Sequence, residues 1–214
     1  MTDKYSIIGP LYDFLASLYS ARQIDQCKTA MHGMIKPGMK VLFAGVGHGI
    51  DAIKAAELGA EVTVVDLSDT MMKKFNRLVS GKSFARQIRQ VHDDILNVDE
   101  AGRYDIVFVN FFLNVFPEEL MIRILAHLTG LAKRKGFVVV GDFSLPAGNR
   151  FRRFIQIIYW RIADLLFWLM AGNALHPVYD YAGEMKKLGL KIKTIKYYRF
   201  LFDDRYYSIL GQKK

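Results

Sequence analysis

One cysteine, Cys27, is all that the 214 residues contain. A lone thiol closes no internal disulfide and builds no cysteine-based metal cluster; it suits a reducing, cytoplasmic setting. The chain also lacks an apolar run long enough for a bilayer span, which needs about 20 such residues. Its most apolar tract, within 145–181, is broken by Arg150, Arg152, Arg153, Arg161 and Asp164. No basic segment followed by an apolar stretch opens the chain at Met1-Thr2-Asp3-Lys4, so no secretory signal is expected. Low-complexity tracts and internal repeats are missing as well, which leaves a single globular domain over 1–214 with chain enough for a sizeable core. Acidic residues are fewer than basic ones, 21 against 30, giving a net charge of +9. That balance admits an anionic partner such as nucleic acid, a membrane surface or an acidic substrate. Lysines solvated for solubility account for it equally well.

What is present centres on Val41-Leu42-Phe43-Ala44-Gly45-Val46-Gly47-His48-Gly49-Ile50-Asp51. A short apolar run leads into three glycines at alternate positions. A helical pattern with Ile53, Ala56 and Leu58 leads out, and Glu61 to Asp66 reads as a second strand ending on an acid. Glycines let a ligand approach the main chain closely. The following helix offers free N–H groups and the positive end of its dipole. Asp66 lies about 20 residues past the first glycine, the spacing at which an acid can hold both ribose hydroxyls. The unit therefore predicts a nucleoside-containing ligand. A dinucleotide fingerprint needs glycine where Ile50 stands, and here glycine comes one residue early.

The G-x-G-x-G spacing of Gly45, Gly47 and Gly49 resembles motif I of the class I S-adenosylmethionine (SAM)-dependent methyltransferases, and the chain order supports the resemblance from Lys36 to Lys214. Lys36 to Lys40 is a turn into the first strand. Ser68 is placed as an N-cap for a helix carrying Met71, Met72, Phe75, Leu78 and Val79, stopped by Gly81. A weaker strand runs around Gln87 to His92. Tyr104 to Asn110 is nearly continuous apolar, as a buried parallel strand is. A helix from about Glu118 to Ala132, a turn at Lys133-Arg134-Lys135-Gly136 and a fifth strand at Phe137 to Phe143 follow. Lys191 to Arg199, a turn at Asp203-Asp204-Arg205, and Tyr206 to Gly211 form a terminal hairpin. The expected fold is α/β: a Rossmann-like, doubly wound seven-stranded sheet with an antiparallel last strand and helices on both faces.

The resemblance implies SAM as cofactor and a binding set of Tyr12, Ala44, Gly45, Gly47, Gly49, Asp66, Leu67, Met71, Asp94, Ile95, Asn110 and Phe111. Tyr12-Asp13 resembles a pair that lies over the cofactor in an N-terminal helix, and residues 1–35 are expected to supply such helices, the second from Ile24 to Met34. Asp94, beside Asp93, matches the acid that accepts from the adenine amino group, with Ile95 against the ring. Asn110 to Pro117 matches the loop beside the methionine part.

One family feature is absent. Members often carry an acid two or three residues before the first glycine, and this chain has Phe43 and Ala44 there. Asp51, one turn into the helix, is placed to compensate electrostatically.

The tract 145–181 is longer than a plain connection and is expected to build a lid and acceptor pocket. Phe151, Phe154, Ile155, Ile158, Ile162, Leu165, Leu166 and Leu169 make one helical stripe. It either lines an apolar pocket or lies at a membrane interface with its arginines on lipid phosphates. Both predict a small apolar or aromatic acceptor, quinone-like or lipid-like, with peripheral membrane contact as an alternative to a purely cytoplasmic setting. His176 to Tyr181 resembles the acceptor-side segment of ubiquinone- and menaquinone-type methyltransferases. His176, Asp142 and Tyr179 are the candidates for a general base. A nucleic-acid methyltransferase is the second reading, ranked lower because Asn110-Phe111-Phe112-Leu113 lacks the prolines of the base-methylase box. A SAM-binding protein without methyl transfer is the third. No feature of the sequence fixes an oligomeric state.

Overall fold

The computed structural model describes residues 23–145, 150, 153–158, 178–200 and 203–214. Within them one sheet holds β1 (Lys40–Ala44), β2 (Glu61–Val65), β3 (Arg89–Val91), β4 (Tyr104–Asn110), β5 (Ala132–Phe143), β6 (Lys191–Phe200) and β7 (Asp203–Gln212). The spatial order is β3-β2-β1-β4-β5-β7-β6. The first five strands are mutually parallel, and β7 runs antiparallel between β5 and β6. The helices are α1 (Gln23–Lys28), α2 (Ile50–Glu57), α3 (Asp69–Val79), α4 (Glu118–Leu131) and α5 (Tyr181–Lys187), with 153–158 also helical.

The central strands bury both faces, which is why they read as apolar runs. Leu42, Val107, Val109, Val138 and Val140 face α4 and α5, which bring Met121, Ile124, Leu125, Leu128, Tyr181 and Met185. Val41, Phe43, Ile106, Phe108 and Val139 face α2 and α3, with Ala52, Ala56, Met72 and Phe75. The four apolar side chains of α4 alone contribute roughly 6–12 kcal/mol of transfer free energy before chain entropy is subtracted. Ser68 caps α3 as expected, accepting from the Met71 amide at 3.3 Å. The chain winds outward from β1 to β3 and then returns to place β4 against β1. The carboxyl ends of β1 and β4 thus flank the topological switch point, where open α/β sheets bind ligands.

Several local expectations are corrected. Lys133–Gly136 lies within the span of β5 but bulges out of the ladder: pairing with β4 jumps from Ala132 to Phe137, and Lys135 has φ of 63°. The expected turn is therefore a bulge inside the strand, tied by backbone bonds to Lys213 and by the Lys133 ammonium on Asp105 at 2.7 Å. Asp203 to Arg205 belongs to β7 rather than to a turn, held by an Arg199–Asp204 ion pair at 2.9 Å. The helix expected from Ile24 to Met34 stops at Lys28 and resumes as one 3-10 turn at His32–Met34. The third strand is only Arg89–Val91, because β3 pairs with β2 alone, at the sheet edge.

Candidate cofactor and active site

β1 delivers the chain to the switch point, where it turns through left-handed φ values of 76° at Gly45, 49° at Gly47 and 68° at Gly49. At Gly49 an added side-chain carbon would lie 2.2 Å from the Phe75 ring. Among the described residues the nearest atom to such a carbon at Gly47 is Lys28 Nζ, 3.8 Å away. Of the three glycines, Gly47 is therefore the one at which the described residues leave the main chain open to an incoming ligand. Gly49 caps α2, so the loop sits on that helix's amino end.

Asp66, just past β2, closes the loop from the other side. Its Oδ2 accepts from the Val46 amide and its Oδ1 from the Ser68 amide, each at 2.8 Å. Burial pushes its carboxyl above the usual carboxylate range, opposed by the Ser68, Val46 and Gly47 amides and by His92. A carboxylate offers about four lone-pair sites, so these contacts leave Asp66 capacity for a hydroxyl donor. Beside it, Leu67 is 64% exposed, an apolar side chain left open at the mouth of the switch point. Met71 is half-buried on α3.

Asp94 caps the short turn Ile95–Asn97, accepting from the Leu96 amide at 2.9 Å, while Asp93 accepts from Asn97 Nδ2. Asp94 is half-buried and Asp93 exposed. Ile95 is 5% exposed and packs into the core on the α4 side.

At the end of β4, Asn110 Nδ2 donates to the Lys28 carbonyl at 3.2 Å and to Asp51 Oδ2 at 3.0 Å. Asp51 is buried at the start of α2 and also accepts from the Ala52 amide. Phe111 follows with φ of 50°, a conformation that costs a bulky residue about 1–3 kcal/mol. It is held there by its amide on Gly141 O at 2.7 Å and by edge contacts to Phe143 and Tyr206. The Lys28 ammonium lies 5.9 Å from the Phe111 ring centroid. A small recess beside the loop is bordered by Asp25, Lys28, Thr29, His48, Ile50, Asp51 and Lys54. Phe43, in place of the family acid, is 2% exposed and stacked on Phe108 at 4.9 Å.

On the α5 side, Asp142 is the penultimate residue of β5 and is 1% exposed. Burial pushes its carboxyl up to about 7, against the Phe143 amide, the Tyr181 hydroxyl and the Asn114 amide. Among the described residues its Oδ2 and the Asn114 Oδ1 are buried without hydrogen-bond partners. Tyr179 is buried, and its hydroxyl donates to Phe116 O at 3.0 Å. Tyr181 sits beside Asp142, its hydroxyl held strongly protonated by burial first and by the Asp142 charge next.

The structure thus brings Ala44, Gly45, Gly47, Gly49, Asp66 and Leu67 together with Asn110 and Phe111 around the switch point, and sets Asp142 and Tyr179 at the carboxyl end of β5, Asp142 beside Asn114 of the loop that follows Phe111. Tyr12, His176 and most of 145–181 lie outside the described residues. Sequence reasoning missed Lys28 and Tyr181. Nothing local marks either one, because each gains its place only when its helix docks on the sheet.

A methyltransferase-domain family profile matches residues 41–136. The chain is similar to a dual O-methyltransferase/FAD-dependent monooxygenase of Phaeosphaeria nodorum, 31% identical over 75% of this chain and 18% of that protein. It is 25% identical to a demethylmenaquinone methyltransferase of Clavibacter sepedonicus, over 83% of this chain and 71% of that one. The chain thus spans less than a fifth of the fungal relative's length. Among solved structures, a magnesium protoporphyrin IX methyltransferase from Synechocystis with bound SAH superposes with a TM-score of 0.69 at 19% identity, covering 92% of this chain and 84% of that one. With the strand order, the glycine loop and the acid after β2 all in place, residues 41–136 carry a methyltransferase domain and the chain has the fold of the class I SAM-dependent methyltransferases.

Proposed function

We propose that this protein binds SAM and transfers its methyl group to a small apolar or aromatic acceptor, quinone-like or lipid-like. The observation that carries the reading is the open main chain at Gly47, set between Asp66 and the amino end of α2. These residues fit the cofactor: Asp66 would take ribose hydroxyls, the glycine loop the aminoacyl-ribose junction, Leu67 and Asp94 with Ile95 the adenine side, and Asn110 with Phe111 the methionine side. Bound SAM supplies an electrophilic methyl on a positively charged sulfur.

The chain's own part is alignment, which supplies at best about 7–11 kcal/mol when two reactants are held in line. An oxygen or carbon acceptor also needs a group to take its proton, worth about 10²–10⁴-fold. Asp142, with a carboxyl near neutrality, is proposed for that role, with His176 and Tyr179 as further candidates; the Tyr179 hydroxyl already serves Phe116. An apolar acceptor is supported by Phe154, Ile155, Ile157 and Ile158, exposed on 153–158 next to Arg150 and Arg153, and by the menaquinone precursor named for the Clavibacter relative. The same residues support peripheral contact with a membrane; among the described residues no helix is long and apolar enough to cross one. Nucleic acid is the second reading, favoured by the net charge of +9 alone.

Calorimetric titration with SAM and, separately, NADH tests the proposal. SAM binds and NADH does not, and Asp66→Ala weakens SAM at least tenfold. Unchanged SAM affinity in that variant, or binding of NADH instead, overturns it.

A further inference from the structure

The α-amino-acid end of SAM carries two opposite charges, and the acid that family members often place before the first glycine is replaced here by Phe43 inside the core. Two other charged groups meet at the same loop. The Lys28 ammonium lies against Gly47 and over the Phe111 ring, and among the described residues no carboxylate forms an ion pair with it. Asp51 is buried at the amino end of α2 and, from the described residues, accepts one bond on each oxygen, which leaves each a lone pair. Asn110 ties the two together, donating to the Lys28 carbonyl and to Asp51 Oδ2. Both residues border the same recess, and Asp25 and Lys54 stand at its exposed rim.

Resting on the SAM reading above, we propose that Lys28 and Asp51 form a two-charge clamp for the cofactor's α-amino-acid end, Lys28 taking the carboxylate and Asp51 the ammonium. The clamp does from α1 and α2 what the missing acid does from the first strand. It also explains the Asn110 bridge: one amide sets the spacing of both charged groups against the end of β4. An aliphatic residue at position 28 would leave the carboxylate facing Phe111 with no cation.

The test compares two nucleosides, S-adenosylhomocysteine, which carries the amino-acid end, and 5′-methylthioadenosine, which lacks it, on wild type, Lys28→Met and Asp51→Asn. Hydrogen bonds to charged groups translate into roughly 10- to 100-fold in affinity. Lys28→Met is expected to weaken S-adenosylhomocysteine by that factor and to leave methylthioadenosine unchanged, which also shows that the nucleoside site is folded. Asp51→Asn behaves likewise. If Lys28→Met weakens both ligands equally, or neither, the clamp is wrong and the SAM reading stands. If the wild type binds neither nucleoside, the SAM reading falls and takes the clamp with it.

Discussion

Replacing Gly49 with alanine probes how the loop is shaped by the helix behind it. The backbone at this position has φ of 68°, which costs a residue with a side chain about 1–2 kcal/mol. The new carbon would lie 2.2 Å from Phe75 Cδ2 and 2.5 Å from Cε2, inside any tolerable contact. Phe75 is fully buried in the cluster between α3 and the sheet, so overpacking adds about 1–3 kcal/mol. The expected loss is therefore about 2–5 kcal/mol, a large part of the 5–15 kcal/mol typical of a domain. The two contributions separate in a double-mutant cycle. In a Phe75→Leu background the ring is gone, and Gly49→Ala should cost only the backbone share of about 1–2 kcal/mol. Urea unfolding with unchanged m-values gives each number. An equal loss in both backgrounds, or a loss below about 1 kcal/mol in the wild type, would refute the packing argument.

Asp142 predicts a pH dependence of opposite sign to that of an ordinary paired carboxylate. Its folded value, about 7, exceeds its usual 3.8, so between those values the unfolded chain has lost a proton that the folded chain keeps. Stability falls as pH rises through that window, by at most about 4 kcal/mol in total, and levels off above it. Asp142→Asn should remove this fall, seen as a wild-type-to-variant difference in urea midpoint that changes between pH 4.5 and 7.5; a constant difference would contradict it. Putting the family acid back with Phe43→Asp should destabilise by at least about 3 kcal/mol, because the carboxylate would be buried against Phe108 without a partner. A Phe43→Asp protein that melts at the wild-type temperature would show that the site is wetter than its burial indicates.

The framework was legible because its signals are local. Alternate glycines, an acid at the right distance and the apolar run at Tyr104 to Asn110 place β1, β2 and β4 to within a residue. The early start of β5 at Ala132 was hidden because Lys133-Arg134-Lys135-Gly136 has the composition of a turn and does bulge from the ladder; only Lys213 and Asp105, distant in sequence, tie the bulge to the sheet. The start of β7 was hidden for the same reason, its aspartates being read as turn formers when one of them serves Arg199. At the site, Asp66 announced itself by spacing. Lys28 did not, since a lysine at the end of a short helix gives no sign of what it will face, and Asp51 showed its charge but not its tie to Asn110.

The placement of β7 between β5 and β6 has a consequence for the order of synthesis. Everything from β1 to β5 can pair as it emerges from the ribosome, each strand finding a neighbour already made. β6 cannot: its one partner is β7, which is translated after it. Until β7 arrives, β5 presents an open edge and β6 has nowhere to dock. Closure of the sheet must then bring Phe137 to Phe143 against Tyr206 to Gln212, a pairing of large sequence separation and so a slow one. A nascent chain halted between β6 and β7 would therefore expose unpaired strands on both sides of the gap, and that interval is when it most needs a chaperone.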